Sequence, residues 1–188
     1  LTQPEKLVES ALSFVRHFEG RGFPDIVLSA KTHSAPSTIR TNRELSARIP
    51  TVPLHLGVTE AGGLGPATVK NSVALGVLLS EGIGDTVRVS ITAPPEEEVR
   101  VVWNILQSVG LRRRGPEIVS CPTCGRCRID LMGLASQVEE RLRGVEAPIT
   151  VAVMGCVVNG PGEARAADIG IAGGDGQGLL IAGGESPG

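Results

Sequence analysis

The stretch that decides the fold is Val52-Pro-Leu-His-Leu-Gly-Val58, followed by a glycine-rich loop at residues 61–65 and an apolar run at residues 66–80. The first segment is short, apolar and bounded by turn residues, which predicts a buried strand, whereas the last has the length and spacing of a helix. A buried strand, a loop and a helix form the repeating unit of parallel α/β proteins.

The same unit occurs on both sides of this stretch. Residues 25–31 predict a strand, and residues 34–48 predict a helix with Pro36 in its first turn. Residues 86–91 predict another strand, and residues 94–109 a helix whose first turn carries prolines and acids. These units predict an α/β fold. Because a closed eight-stranded barrel needs about 250 residues, the chain, taken as a (β/α)8 TIM-type barrel, would be its C-terminal portion.

An amphipathic helix is predicted ahead of these units, at residues 4–19, with Gly20 and Gly22 ending it. Its apolar residues recur at helical spacing, so we expect one face to pack on the sheet. The residues of that face are Leu7, Ala11, Phe14, Val15 and Phe18.

A charged, breaker-rich segment at residues 111–116 divides the chain. We therefore expect a partial barrel domain at residues 1–110 and a small α+β domain at residues 117–188. The elements predicted in the second domain are strands at 117–120 and 150–154, a helix at 131–142, and a glycine-turn hairpin formed by 169–172 and 179–182.

The composition narrows the class of protein. The chain has 188 residues, of which 41% are hydrophobic and 20% charged, as in ordinary globular proteins. Its net charge of -2, three Phe, one Trp and no Tyr oppose nucleic-acid binding. No apolar run reaches the roughly 18 residues of a membrane span, and no signal peptide is recognisable. We expect a cytoplasmic protein with reduced thiols that binds neither nucleic acid nor membrane.

Polar residues stand at the carboxyl ends of the three predicted strands: Lys31, Glu60 and Ser90 recur about every thirty residues. Barrel and doubly wound enzymes place their chemistry at these ends. Strand ends must also become polar where they reach solvent, so that alternative stays open.

The four cysteines lie in the last third of the chain. Cys121 and Cys124 are three residues apart with proline and glycine nearby, so one tight loop can direct two sulfurs at one metal centre. Cys156 is the natural third sulfur because it follows a predicted strand. It lies in a second glycine-rich loop, residues 155–163, which also carries Glu163.

Spacing alone leaves an iron-sulfur cluster, a zinc site and inert thiols open. Cys156 has no cysteine or histidine three or four residues away, which disfavours a zinc ribbon. Position 131 is Leu131, where a ferredoxin run would place its fourth cysteine. A non-enzymatic electron carrier is favoured by the run that ends at Cys127, and a zinc-stapled binding module is a further alternative. A carrier does not require three strand-helix units.

Four longer motifs occur in one order along essentially the whole chain. They are His55-Leu-Gly-Val-Thr-Glu-Ala-Gly62, Glu81-Gly-Ile-Gly-Asp-Thr-Val-Arg-Val-Ser90, Ser120-Cys-Pro-Thr-Cys-Gly-Arg126 and Gly155-Cys-Val-Val-Asn-Gly-Pro-Gly-Glu-Ala164. Together they resemble the 4-hydroxy-3-methylbut-2-enyl diphosphate synthases. The resemblance implies an oxidoreductase of non-mevalonate isoprenoid biosynthesis, whose small-molecule substrate is 2-C-methyl-D-erythritol 2,4-cyclodiphosphate. The implied enzyme opens the cyclic diphosphate and removes a hydroxyl group reductively, using two electrons.

The resemblance further implies a barrel followed by a separate iron-sulfur cluster domain. Its [4Fe-4S] cluster would be held by Cys121, Cys124, Cys156 and Glu163, with Cys127 outside the ligand set. A carboxylate is a harder and more exchangeable ligand than a thiolate, so the iron that it holds can open a position for substrate.

By the same resemblance, Lys31, Arg88 and Ser90 look like diphosphate-binding residues at the barrel mouth, and their cationic and hydroxyl donors suit that role. Glu60 looks like an acid-base or substrate-orienting carboxylate. Asn159 is expected to contact substrate, although formation of a turn in Asn-Gly-Pro-Gly explains it almost equally well. His55 is interpreted as a strand residue with a satisfied hydrogen bond.

The resemblance also implies partners: flavodoxin or ferredoxin as electron donor, and a second subunit in a homodimer. In that family the first part of the barrel supplies further substrate-binding arginines and an aspartate, and a final helix follows the hairpin. This chain begins at Leu1 and has neither part. We therefore expect it to be a segment, truncated at the C-terminus of its second domain and inactive by itself.

Overall fold

The computed structural model describes residues 2–174 and 176–184. The chain divides into two compact units, Leu1–Arg112 and Arg113–Gly188, and the division falls inside the breaker-rich segment. In the described part of the chain, none of the helices combines the length and the apolar character that crossing a membrane would demand.

The first unit consists of four long helices and short parallel strands. β1 (His55–Leu56) pairs with β2 (Thr86–Val87), and Leu28 forms a parallel bridge with Leu54. The helices are α1 (Gln3–Glu19), α2 (Ala35–Arg48), α3 (Leu64–Ser80) and α4 (Pro95–Ser108). All four were predicted, with ends that differ by at most two residues.

The three predicted strands are neighbours in chain order, but their predicted lengths are wrong. Residues 25–31 contribute only the bridge at Leu28, and the other two strands pair over two residues each. Beyond these pairs, side chains accept two of the strand amide protons. Asn71 Oδ1 accepts the Val58 N–H at 3.3 Å, and Glu98 Oε1 accepts the Ile91 N–H at 3.0 Å. Periodicity cannot reveal where a side chain replaces a neighbouring strand.

The core of the first unit lies on one face of these strands. Leu54, Leu56 and Val58 are buried and pack with the apolar stripes of the helices. Because side chains alternate between the two faces of a strand, His55 belongs to the opposite face, together with Thr86, its partner across β1 and β2. The strand face away from the helices is therefore polar.

The predicted packing face of α1 is partly wrong. The structure buries a stripe displaced around the helix, consisting of Pro4, Val8, Ala11, Leu12 and Val15. Phe14 and Phe18 are 59% and 40% exposed instead. Both stripes are apolar and have helical spacing, so the sequence pattern cannot choose between them. The position of α1 against its neighbouring elements decides which of the two stripes is buried.

The second unit is a four-stranded sheet in the order β3-β4-β5-β6, parallel except for the last pair. Its elements are β3 (Glu117–Ser120), α5 (Leu131–Leu142), β4 (Thr150–Met154), α6 (Gly160–Arg165), β5 (Ile169–Gly174) and β6 (Gln177–Ala182). The predicted strands, helix and hairpin are confirmed. Asp175, in the predicted hairpin turn, lies outside the described residues.

Helix α6 is the element that the sequence analysis missed, because residues 155–163 were predicted to form a loop. Pro161 stands in its first turn, where a missing amide proton costs nothing. The helix packs on β5 at Gly170. A Cβ atom there would lie 2.5 Å from the Cβ of Ala164 and 2.7 Å from its carbonyl oxygen, so only glycine lets α6 approach this closely.

Candidate functional site

The parallel pairing of β3 and β4 brings two cysteines to one edge of the second unit. Cys121 follows β3 directly and Cys156 follows β4 after one residue. Carboxyl ends of parallel strands meet at the same edge. A hydrogen bond ties the two segments together, because the Gly155 N–H donates to Cys121 Sγ at 3.3 Å.

A cavity of about 390 Å³ opens at this edge. All four residues predicted to hold a metal line it: Cys121, Cys124, Cys156 and Glu163. Asn159 lines it as well, and this residue is the N-cap of α6 rather than part of a free turn, although its side chain makes no capping hydrogen bond. The structure thus brings these five residues together, while their roles stay predictions.

Backbone amides favour the thiolate form of Cys156. The N–H groups of Asn159, Val158 and Gly160, at the start of α6, hold the pKa of the Cys156 thiol below its ordinary value. Arg126 contributes a smaller lowering through its charge. A thiolate is the form of cysteine that binds metal, so the segment between β4 and α6 prepares this residue for ligation.

Arg126 is a site residue that the sequence analysis missed. Its backbone N–H and then its guanidinium group lower the pKa of the Cys124 thiol. The residue also lines the cavity. The signal for Arg126 in the sequence was its position at the end of the motif Ser120–Arg126.

Cys127 occupies a different environment. Its thiol donates to the carbonyl oxygen of Ile129 at 3.3 Å, and its sulfur lies 2.6 Å from where a Cβ atom on Gly155 would be. It is not among the described residues that line the cavity. This fourth thiol therefore packs against Gly155 and is not part of the cavity lining.

In the first unit, a smaller cavity of about 170 Å³ gathers Glu60, Arg88 and Ser90 at the strand ends. Glu60 has a φ of 52° and is the one non-glycine residue with positive φ in the described chain. Such a backbone conformation costs about 1–3 kcal/mol in general, and residues that keep it cluster at functional sites. Glu60 thus combines a charged side chain with an unusual backbone conformation, a positive φ.

Lys31 lies beside this cavity rather than in its lining. Its Nζ atom is 3.3 Å from where a Cβ atom on Gly57 would be, so the absence of a side chain there makes room for the ammonium group. Burial, and then the charge of Arg88, lowers the pKa of Lys31. Two neighbouring cations that repel each other form a place that an anionic group would stabilise.

Glu98 is a second residue that the sequence analysis did not assign to the site. It lines the smaller cavity, accepts the Ile91 N–H at 3.0 Å and lies 3.6 Å from Arg88 Nε. In the sequence it was indistinguishable from the other acids in the first turn of α4. Its position places a carboxylate in an ion pair with Arg88 at the strand ends.

The interpretation of His55 is confirmed, because its Nδ1 atom and Thr86 Oγ1 are 2.8 Å apart across β1 and β2. Burial lowers the pKa of His55, and the charges of Lys31 and Arg88 lower it further. Burial and the two nearby cations therefore both favour the neutral form of the imidazole.

We expect His55 to titrate below the ordinary histidine pKa of about 6.5, and Arg88→Gln to raise its midpoint. Since the pKa is lowered in the folded state, the stability that neutral His55 contributes is present above the ordinary pKa and is lost as pH falls through the folded value. NMR titration of the ring protons, assigned with His55→Asn, measures this. Arg100→Gln is the matched control, because Arg100 pairs with Glu97. An unchanged midpoint in Arg88→Gln contradicts the assignment.

Taken together, the chain combines a parallel α/β unit with polar strand ends and a small sheet domain whose cavity is lined by three cysteines. Residues 1–103 match the family model for the GcpE TIM-barrel domain, and residues 117–187 match the one for the GcpE protein C-terminal domain. The chain belongs to the GcpE family, and the α/β class predicted from the sequence is confirmed.

Two curated relatives illustrate the similarity. The protein of Desulfotalea psychrophila is 58% identical over 177 residues, which are 94% of this chain and 48% of the relative. That of Geobacter sulfurreducens is 56% identical over 181 residues, 96% of this chain and 51% of the relative. Both are named 4-hydroxy-3-methylbut-2-en-1-yl diphosphate synthase (flavodoxin). The chain spans about half the length of the curated relatives it matches.

Proposed function

We propose that this chain is part of a 4-hydroxy-3-methylbut-2-en-1-yl diphosphate synthase and acts on 2-C-methyl-D-erythritol 2,4-cyclodiphosphate within a longer subunit. The observation that carries the proposal is the single cavity lined by Cys121, Cys124, Cys156 and Glu163. Residues 1–110 are assigned to the final part of the barrel and residues 117–188 to the cluster domain. The family membership and the names of the relatives support both assignments.

The donor set fits a [4Fe-4S] cluster better than zinc. Within residues 2–174 and 176–184, no three His, Cys, Asp or Glu side chains converge closely enough to hold a single metal ion. A structural zinc ion requires four donors within about 2.0–2.3 Å of one point. A four-iron cube instead takes one outer ligand at each iron, so its ligands stand further apart around a cavity. When bound, the cluster would supply the electrons for removal of the hydroxyl group.

Glu163 and Asn159 differ from the three thiols in what they can contribute. Glu163 stands in the first turn of α6 and is exposed, so its carboxylate can bind or leave an iron without disturbing the core. The Asn159 side chain is not used as a helix cap and can donate or accept a hydrogen bond toward a bound substrate. Both would act on the substrate side of the cavity.

The strand ends of the first unit would bind the diphosphate. Lys31 and Arg88 supply adjacent positive charges, and Ser90 supplies a hydroxyl donor in the same cavity as Arg88. Glu98 forms an ion pair with Arg88 at the same strand ends. Glu60, exposed at the mouth of that cavity, would orient the substrate or exchange a proton with it.

The remaining partners follow from the relatives. Their names specify flavodoxin, which we propose as the electron donor in place of ferredoxin. The four cysteines are free thiols, which suits a reducing cytoplasm. We propose a homodimer for the complete protein, and no activity for this chain alone.

A chimaera tests the function. Residues 1–182 of this chain replace the matching half of the Geobacter sulfurreducens synthase, and the purified protein is assayed anaerobically with the cyclic diphosphate, reduced flavodoxin and product analysis. We expect turnover by the chimaera and none by this chain alone. Glu60→Gln in the chimaera should reduce kcat at least 100-fold, as expected for loss of an acid-base group.

Glu96→Gln is the matched control, because Glu96 carries the same charge in the first turn of α4 but does not line the cavity. A chimaera that binds iron and sulfide and folds yet forms no product contradicts the proposed activity. Turnover by the chain alone overturns the assignment of an incomplete site.

A further inference from the structure

Arg126 places a positive charge in the cavity of the candidate metal centre, close enough to act on Cys124 and Cys156. It follows Cys124 by two residues and lines the same cavity as Cys121, Cys156 and Glu163. Among the described residues that line this cavity, it is the one with a cationic side chain. Its guanidinium group lowers the pKa of the Cys124 thiol, and its charge also lowers that of Cys156.

The charge balance of the cavity makes this position consequential. Three thiolates and one carboxylate bring four negative charges, and the addition of an electron to a cluster held there adds another. The cost of that electron rises with the negative charge around it, and hydrogen bonds to sulfur reduce the cost. A guanidinium group keeps its charge at every accessible pH, so its contribution is permanent.

Arg128 provides an internal comparison. It lies two residues further along the chain, is exposed, and its backbone N–H donates to the Gly155 carbonyl oxygen at 3.1 Å. It is not among the described residues that line the cavity. The two arginines therefore share the loop and the charge but differ in access to the donor set.

We propose that Arg126 is a positioning residue that raises the reduction potential of an iron-sulfur cluster held by Cys121, Cys124, Cys156 and Glu163. The inference rests on the cluster of the proposed function and adds a residue that tunes it. Arg126 stabilises the reduced state through its charge, from a position in the lining of the cavity. It also keeps the Cys124 thiolate turned into the cavity, which a neutral residue of similar length does less well.

The test is a redox titration of the 188-residue chain, reconstituted anaerobically with iron and sulfide and followed by EPR of the reduced cluster. Both proteins are held at the midpoint potential of the unsubstituted chain. We expect the ratio of reduced to oxidised cluster to be at least tenfold lower in Arg126→Gln than in the unsubstituted chain. That ratio corresponds to a fall of about 59 mV for a one-electron couple. Arg126→Lys, which keeps the charge, should fall between the two, and Arg128→Gln should match the unsubstituted chain.

The outcomes separate this inference from the proposed function. Equal midpoint potentials in Arg126→Gln and the unsubstituted chain overturn the inference and leave the cluster intact. Equal shifts in Arg126→Gln and Arg128→Gln also overturn it, because a general charge effect would then suffice. If Arg126→Gln does not retain its cluster, Arg126→Lys decides, and an unshifted potential there together with full iron content counts against the inference. Zinc without sulfide in the unsubstituted chain overturns the proposed function itself.

Discussion

Cys156→Ser is expected to abolish incorporation of iron and acid-labile sulfide into the chain. Cys156 is buried at the end of β4, and three backbone N–H groups stabilise its thiolate. A serine hydroxyl stays protonated there and is a harder donor than a thiolate, so it does not replace the sulfur at iron. Anaerobic reconstitution, followed by iron and sulfide analysis and by visible absorption, measures the loss.

Cys127→Ser is the matched control for that experiment. The Cys127 thiol donates to Ile129 and lies against Gly155, outside the cavity lining, and a serine hydroxyl can donate to the same carbonyl oxygen. We expect this variant to retain its full iron and sulfide content. Loss of the cluster in Cys127→Ser, or its retention in Cys156→Ser, shows that the ligand assignment is wrong. Circular dichroism of both apoproteins separates ligand loss from unfolding.

Gly170→Ala is expected to lower the stability of the second unit by about 1–3 kcal/mol, the usual cost of an overpacked core site. The new methyl group would meet the Cβ, Cα and carbonyl oxygen of Ala164 at 2.5–2.8 Å, and these atoms belong to the helix rather than to a flexible side chain. The clash pushes α6 away from β5. Because Glu163 precedes Ala164, the same substitution displaces the predicted carboxylate ligand.

Amide hydrogen exchange of peptides that cover β4 and β5 measures this effect, because local opening sets the exchange rate. A loss of that size corresponds to exchange that is roughly 5- to 150-fold faster. Trp103, the single tryptophan, lies in α4, so its fluorescence checks that the first unit stays folded.

Gly178→Ala is the matched control in the same hairpin. Gly178 pairs with Gly173, and a Cβ atom there would have no neighbour within 4 Å. We expect its free energy of unfolding to change by less than about 0.5 kcal/mol. If Gly170→Ala exchanges no faster than Gly178→Ala, α6 is not held to β5 by this close approach.

The helices and the sheet of the second unit could be predicted from the sequence because their signals are local. Pro95 and the acids of residues 96–98 mark the start of α4, and periodicity fixes its length to within a residue. The strands β3 and β4 are bounded by turn residues, and β3 pairs with β4 over its whole predicted length. Short-range preferences and long-range packing agree at these places.

Helix α6 could not be predicted, because glycine and proline in Gly160-Pro-Gly162 favour turns as isolated residues. Its six residues fold as a helix where Ala164 packs on Gly170, a contact between residues that belong to different elements. The exposed Phe14 is the same kind of case, because α1 has two apolar stripes and only its neighbours select one.

The sequence itself determined which thiols and which carboxylate are available as metal ligands, since residue type and spacing define the donors. Which side chains share one cavity was decided by the tertiary structure alone. Parallel pairing of β3 with β4 brings Cys121 and Cys156 together, α6 presents Glu163, and the turn of the loop places Arg126 inside and Cys127 outside. Neighbours in space depend on strand register and helix packing, which no local pattern encodes.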